Sequence, residues 1–205
     1  MFKEKLNKKL AASMEEYGFI EPKSIQAKCL TKITGGFDVI GIGPENAGKS
    51  SLIVMGTIQK LQRAIEKTPR ALILVSSKEK AIAMEEQFNA LAKYTDLRVH
   101  LLYEEGDIDQ QSVDIYDDGS DIVIGTAKRT LEVYFLRNLN LNKIKLFVID
   151  DAELIIKNFL QGQIDRLALS LPKCQHLVFT NELTPKIEKL IEKFIIAPHI
   201  VEVEA

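Results

Sequence analysis

Short runs of consecutive apolar residues alternate along this chain with longer stretches of helical period. The runs are DVIGIG (38–43), ALILVS (71–76), RVHLLY (98–103), DIVIGT (121–126), KLFVID (145–150) and HLVFTN (176–181). They carry little polar alternation, the pattern of strands covered on both faces in a parallel sheet. Between them, KSSLIVMGTIQKLQRAIEK (49–67), KEKAIAMEEQFNALAKY (78–94) and TPKIEKLIEKFI (184–195) repeat their apolar residues at helical spacing. Strands alternating with helices imply right-handed βαβ units. The expected fold is a doubly wound α/β domain, with a helical extension over residues 1–36 and the sheet domain over 37–205. In such sheets ligands bind at the carboxyl ends of the strands.

Composition agrees with one globular domain. The chain has 205 residues, 46% of them hydrophobic and 27% charged. Its formal net charge of -2 draws no polyanion by a global field, so any nucleic-acid contact must use a local patch. Cys29 and Cys174 lack metal-ligand or C-x-x-C spacing and read as free thiols, and the three histidines form no ligand-spaced cluster, so no zinc site is expected. No apolar run has the length of a membrane span, and MFKEKLNKKL is too polar for a signal peptide. The expected location is cytoplasmic, with no membrane contact.

GPENAGKS (43–50) is where the chemistry starts. Gly43, Gly48, Lys49 and Ser50 match G-x-x-x-x-G-K-[ST], placed as the motif requires after a strand and at the head of a helix. Backbone N–H groups of such a loop cradle phosphates, the lysine adds a compact charge, and the Ser50 hydroxyl can ligate Mg²⁺. A second carboxylate element completes the site. KLFVIDDAE ends a hydrophobic strand in Asp150, a candidate Mg²⁺ holder, followed by Asp151, placed to orient or deprotonate water. Asn46 to Ser50 would pass in a small GTPase, but no N-K-x-D motif follows to read guanine. A small-molecule kinase leaves YGFIEPKSIQ and GTAKR unexplained.

YGFIEPKSIQ (17–26) resembles the Q motif of DEAD-box RNA helicases, and the rest of the chain is similar to their N-terminal RecA-like domain. VSSKEKA (75–81) resembles PTRELA, GTAKR (125–129) resembles TPGR, IDDAE resembles the DEAD motif, and FTNE (179–182) stands at the place of SAT. The resemblance implies a RecA-like P-loop NTPase domain that uses ATP and Mg²⁺ and pairs, in cis or in trans, with a second RecA-like domain to act on RNA. It implies Gln26 reading adenine in a pocket shaped by Phe19 and Pro22, with Pro44, Glu45, Asn46, Ala47, Gly48, Lys49, Ser50 and Ser51 around the phosphates. Lys49, Asp150, Asp151 and Thr180 are the implied catalytic set. Ser77, Lys78, Gly106, Thr126, Lys128 and Arg129 are the implied RNA contacts.

The departures bear on turnover. Glu45 brings a carboxylate near the phosphates, Lys23 removes a hydroxyl ahead of the loop, and Asp151 is one methylene shorter than the family's glutamate. Glu153 replaces the last Asp of the metal motif, Asn181 and Glu182 replace two thirds of SAT, and TPGR has lost its Pro-Gly turn. The alternative to an ATPase domain is therefore a catalytically impaired binding module on the same fold.

Overall fold

The computed structural model describes residues 6–204; residues 1–5 of the expected extension and Ala205 lie outside the described residues. Seven strands form a single parallel sheet: β1 (Val39–Ile42), β2 (Ala71–Val75), β3 (Val99–Leu102), β4 (Ile122–Thr126), β5 (Leu146–Ile149), β6 (Gln175–Thr180) and β7 (His199–Glu202). Their spatial order is β3-β4-β2-β5-β6-β1-β7. The first six are the expected strands; β7 is an addition, pairing in parallel with β1 at the register Val39 to His199.

Alternation along each strand builds two cores. Ala71, Ile73 and Val75 of β2 face one side, joined there by Leu52 and Ile53; Leu72 and Leu74 face the other, with Phe147 and Ile149. The central strands β1, β2, β4 and β5 are buried at every position, whereas the edge strand β3 buries only Leu102 fully. A neighbour on one side only explains why RVHLLY reads as a core strand and is half exposed.

Helices α1 (Lys8–Glu16), α2 (Ser24–Thr34), α3 (Lys49–Leu61) and α4 (Lys78–Leu91) pack on the first face. On the other lie α6 (Ala127–Phe135), α7 (Ala152–Lys157), α8 (Gln161–Ser170) and α9 (Pro185–Ile191), while α5 (Ile108–Asp117) leans on β3. Side chains of Asn7, Ser77, Asp107, Thr126 and Thr184 each accept from a backbone N–H in the first turn, satisfying donors that helix starts leave orphaned.

The helix expected over 49–67 stops at Leu61. Buried Arg70 accounts for the stop: its guanidinium donates to the carbonyls of Leu61 and Arg63 and to Asp121 Oδ1 at 2.7 Å. Asp121 is fully buried and also accepts from Arg98 Nε at 2.9 Å, so one carboxylate holds two arginines at the amino end of the sheet. Likewise the stretch 184–195 is helical only through Ile191.

Candidate functional site

The carboxyl ends of β1, β2, β5 and β6 carry most of the residues singled out above. The loop after β1 reaches α3 through Asn46 and Gly48, both left-handed at φ 62° and 96°. At Gly48 a Cβ would lie 2.6 Å from Gln26 Nε2, so only glycine leaves room for the loop to fold against α2.

Lys49 is buried at the head of α3. Its ammonium donates to the carbonyls of Gly43 at 2.6 Å and Pro44 at 3.3 Å, and to Asn181 Oδ1. Asn181 was read as a loss to SAT; in three dimensions it is a ligand of the loop lysine. Opposite, Ser50 Oγ donates to Asp150 Oδ2 at 3.0 Å, bridging the two motifs, and Asp150 Oδ1 accepts from the Asp151 N–H at 3.1 Å. Burial first, and the adjacent Asp151 charge second, push the Asp150 carboxyl above its ordinary range. These hard oxygens, desolvated and carrying excess negative charge, fit a divalent cation such as Mg²⁺.

Asp151 is nearly buried, in left-handed backbone at φ 51°. Its Oδ2 lies 3.0 Å from Lys80 Nζ and accepts from Ser76 Oγ at 3.3 Å. Burial opposes the Lys80 charge, but the carboxylates of Asp151, Asp150 and Glu45 outweigh it and raise its pKa. Lys80 is the residue that motif reading missed. It sits in VSSKEKA one turn from the Ser77 cap, and that turn faces the site because β2 neighbours β5 in the sheet.

Lys23, Glu45, Lys49, Ser50, Lys80 and Asp151 line a cavity of about 400 Å³. Two further lining residues, Gln87 and Glu153, each hold a buried oxygen (Oε1) with no hydrogen-bond partner. A polar ligand or its water would satisfy them. Exposed Glu45 does bring a carboxylate to the cavity, as expected, and Lys80 stands close enough to offset its charge.

The expected adenine reader behaves differently. Gln26 is buried; its Oε1 accepts from the Lys23 N–H at 2.9 Å, and its Nε2 donates to Ser51 Oγ at 2.9 Å and to the Gly48 carbonyl at 3.2 Å. Both amide hydrogens are engaged by the phosphate loop, and only one Oε1 lone pair is left over. Lys23, read as a lost hydroxyl, donates through Nζ to the Asn46 carbonyl and ties the same two segments. Phe19 packs on the first core, and neither Phe19, Pro22, Pro44 nor Ala47 lines the cavity.

Thr180 Oγ1 lies 2.7 Å from both Glu153 Oε2 and the Glu182 carbonyl. The link between the DEAD and SAT positions therefore exists here through Glu153, one methylene longer than Asp.

Residues of the expected RNA face meet at the ends of β3 and β4, but most are engaged internally. Arg129 is buried and donates to the carbonyls of Glu104 at 2.6 Å and Gly106 at 2.8 Å, and to Gln111 and Glu132. Thr126 caps α6 and donates to Glu104 Oε2 at 2.8 Å. Ser77 caps α4, and Lys78 pairs with Glu105 at 3.2 Å over the Tyr103 ring. Among the described residues, Lys128 alone of these presents an exposed charge with no ion-pair partner.

A parallel α/β sheet with a lysine-bearing glycine loop at its carboxyl end, faced by a strand-end carboxylate pair, defines a RecA-like domain of the P-loop class. The family model for DEAD/DEAH box helicases matches residues 23–190, and the chain belongs to that family. It is similar to the ATP-dependent RNA helicase eIF4A of Eremothecium gossypii, 28% identical over 195 residues that make up 95% of this chain and 49% of the relative. Eukaryotic initiation factor 4A-1 of Arabidopsis thaliana is 28% identical over 94% of this chain and 47% of its own length. The chain thus spans about half the length of the curated relatives it matches. Among solved structures, a DEAD box protein from Methanococcus jannaschii superposes with a TM-score of 0.88 at 20% identity, over 98% of this chain and 54% of that one. A yeast DEAD-box splicing factor superposes at 0.90, also at 20% identity, over 97% of this chain and 50% of its own.

Proposed function

We propose that this chain is the ATP-binding, N-terminal RecA-like domain of a DEAD-box-type RNA helicase, hydrolysing ATP and remodelling RNA when joined to a second RecA-like domain. The observation that carries the reading is the Ser50–Asp150 contact at 3.0 Å beside the buried Lys49 ammonium, because it joins the phosphate loop to the strand-end carboxylates.

In this reading Lys49 exchanges its Asn181 and carbonyl partners for phosphate oxygens. N–H groups at the start of α3 add fixed positive dipole. Ser50 and Asp150 would hold Mg²⁺, which supplies charge neutralisation at the phosphates. Asp151 orients the attacking water and accepts its proton, and to do so it must loosen its ion pair with Lys80. Lys80 is then available to the phosphates. Gln26 couples base to loop: a base that takes its free lone pair or displaces one of its donors shifts an amide that already holds Gly48 and Ser51. Thr180 and Glu153 carry the state of the site toward the second domain. RNA contact is the weakest element, resting on Lys128 and on rearrangement around Lys78 and Arg129.

The test is titration of the chain with a fluorescent adenine nucleotide and Mg²⁺, repeated with Lys49→Ala. Saturable binding lost on substitution is expected; absence of binding at millimolar nucleotide overturns the reading. Phosphate release, measured with RNA and a second domain supplied in trans, separates an ATPase from a binding module that only holds nucleotide.

A further inference from the structure

At the amino ends of the strands, away from the phosphate loop, a second cleft of about 570 Å³ is lined by Phe37, Lys60, Lys145, Lys173, Cys174 and His199, among others. The lysines come from three separate places: Lys60 from α3, Lys145 from just before β5 and Lys173 from just before β6. The one carboxylate of the lining, Asp38, is already engaged: its Oδ1 accepts the His176 backbone N–H at 2.7 Å and lies 3.5 Å from His176 Nδ1. The cleft therefore holds a surplus of positive charge. Burial lowers the Lys60 pKa against the opposing influence of Cys174 and Asp38, the Lys145 charge adds to the depression, and a further anion would relieve it.

Cys174 stands where this charge meets a base. Its Sγ is 3.7 Å from His176 Nε2, and on the far side of the ring Nδ1 lies 3.5 Å from Asp38 Oδ1 without a hydrogen bond to it. In the tautomer with its proton on Nδ1, on the side of the Asp38 carboxylate, the ring leaves Nε2 to accept the thiol proton. Nucleophile and base thus stand in contact, and the pair opens on a cationic cleft. Burial lowers the His176 pKa, but the contacts with Asp38 and Cys174 outweigh it and raise the value to about 9. The groups facing the pair are Asp38 ahead of β1, Lys60 on α3, Lys145 ahead of β5, Lys173 beside Cys174 and His199 on β7, with the Phe147 and Phe194 rings packed against the imidazole.

We propose that Cys174 is a reactive thiol whose proton passes to His176 Nε2, and that the lysine-lined cleft beside it selects low-molecular-weight disulfides bearing carboxylates. The Cys174 thiolate attacks one sulfur of the disulfide, a new S–S bond forms and the old one breaks. The departing sulfur leaves as a thiolate and takes up the proton that His176 Nε2 had received. Cys174 is oxidised by the disulfide and half of that reagent is reduced, so no other reactant is needed.

The remaining thiol is an internal reference. Cys29 is buried, and burial pushes its pKa up to about 11, which makes it unreactive.

The experiment treats the full chain with dianionic dithiobis(nitrobenzoate) and with neutral dithiodipyridine, locating the adduct by peptide mass mapping. An unstructured cysteine peptide is run alongside. Cys174 should react at neutral pH about tenfold faster than the peptide, because His176 Nε2 stands in contact to take its proton as the sulfur attacks. It should also favour the anionic reagent more strongly than the peptide does, and high salt or a Lys60→Gln, Lys173→Gln pair should remove that preference. His176→Gln should move the midpoint of the rate–pH profile upward. Peptide-like reactivity of Cys174 in the unsubstituted chain overturns the activated thiol without reliance on any variant. A reagent ratio equal to the peptide's overturns selection by the cleft.

Discussion

The two flanks of the sheet's carboxyl end carry basic motif residues of the same descent, and they use them in opposite ways. On the β1–β5 flank, Lys23, Lys49 and Lys80 line a cavity. On the β3–β4 flank, Arg129 turns inward to hold the 104–106 loop, and Lys78 is matched by Glu105. The three lysines border open volume, so a ligand can take over from their present partners; Arg129 spans a loop of its own chain and serves the fold. Matching a motif letter does not distinguish these uses, because both keep the residue.

The comparison breaks most sharply at Arg129. Replacing it with Ala strands the carbonyls of Glu104 and Gly106 and should cost about 3 kcal/mol, read as a lower midpoint in urea unfolding. An RNA-contact residue would instead leave stability untouched. Next, Lys49→Ala should weaken nucleotide binding by about a hundredfold, with a stability cost of about 1–3 kcal/mol for the Gly43 and Pro44 carbonyls and Asn181 left unpaired; unchanged affinity in the fluorescence titration would remove the cavity's claim to be a phosphate site. Smaller is Lys80→Met. Loss of one partly exposed cation near the phosphates should weaken binding about threefold to tenfold, with the effect shrinking as salt rises. Smallest is Lys128→Ala, expected to lower RNA affinity of the chain joined to its second domain by a fewfold and reduce the salt slope by about one. If Lys128→Ala proves larger than Lys80→Met, the β3–β4 flank is a more active surface than its internal pairing implies.

Several sequence departures change meaning once folded. In the sequence Lys23 is a lost hydroxyl and Gln26 a base reader, yet in the fold both fasten α2 to the phosphate loop. Asn181 looked like a broken motif and proves to be a partner of Lys49. Glu45 looked unfavourable on its own, and Lys80 offsets it from a helix 35 positions further along the chain (80 minus 45). In each case the missing fact was a partner distant in sequence, which local pattern cannot supply.

The residues by themselves determined the strand-and-helix alternation, the position of the phosphate loop and the carboxylates after β5, because those depend on local period and spacing. Strand order and the addition of β7 are consequences of pairing. Only the tertiary structure decided which charges meet: Ser50 with Asp150, Lys80 with Asp151, Arg129 with its carbonyls, Cys174 with His176 beside three lysines. The physical reason is that a charge acts on whatever lies within a few ångströms, and over most of this chain that neighbour is set by the sheet rather than by the sequence beside it.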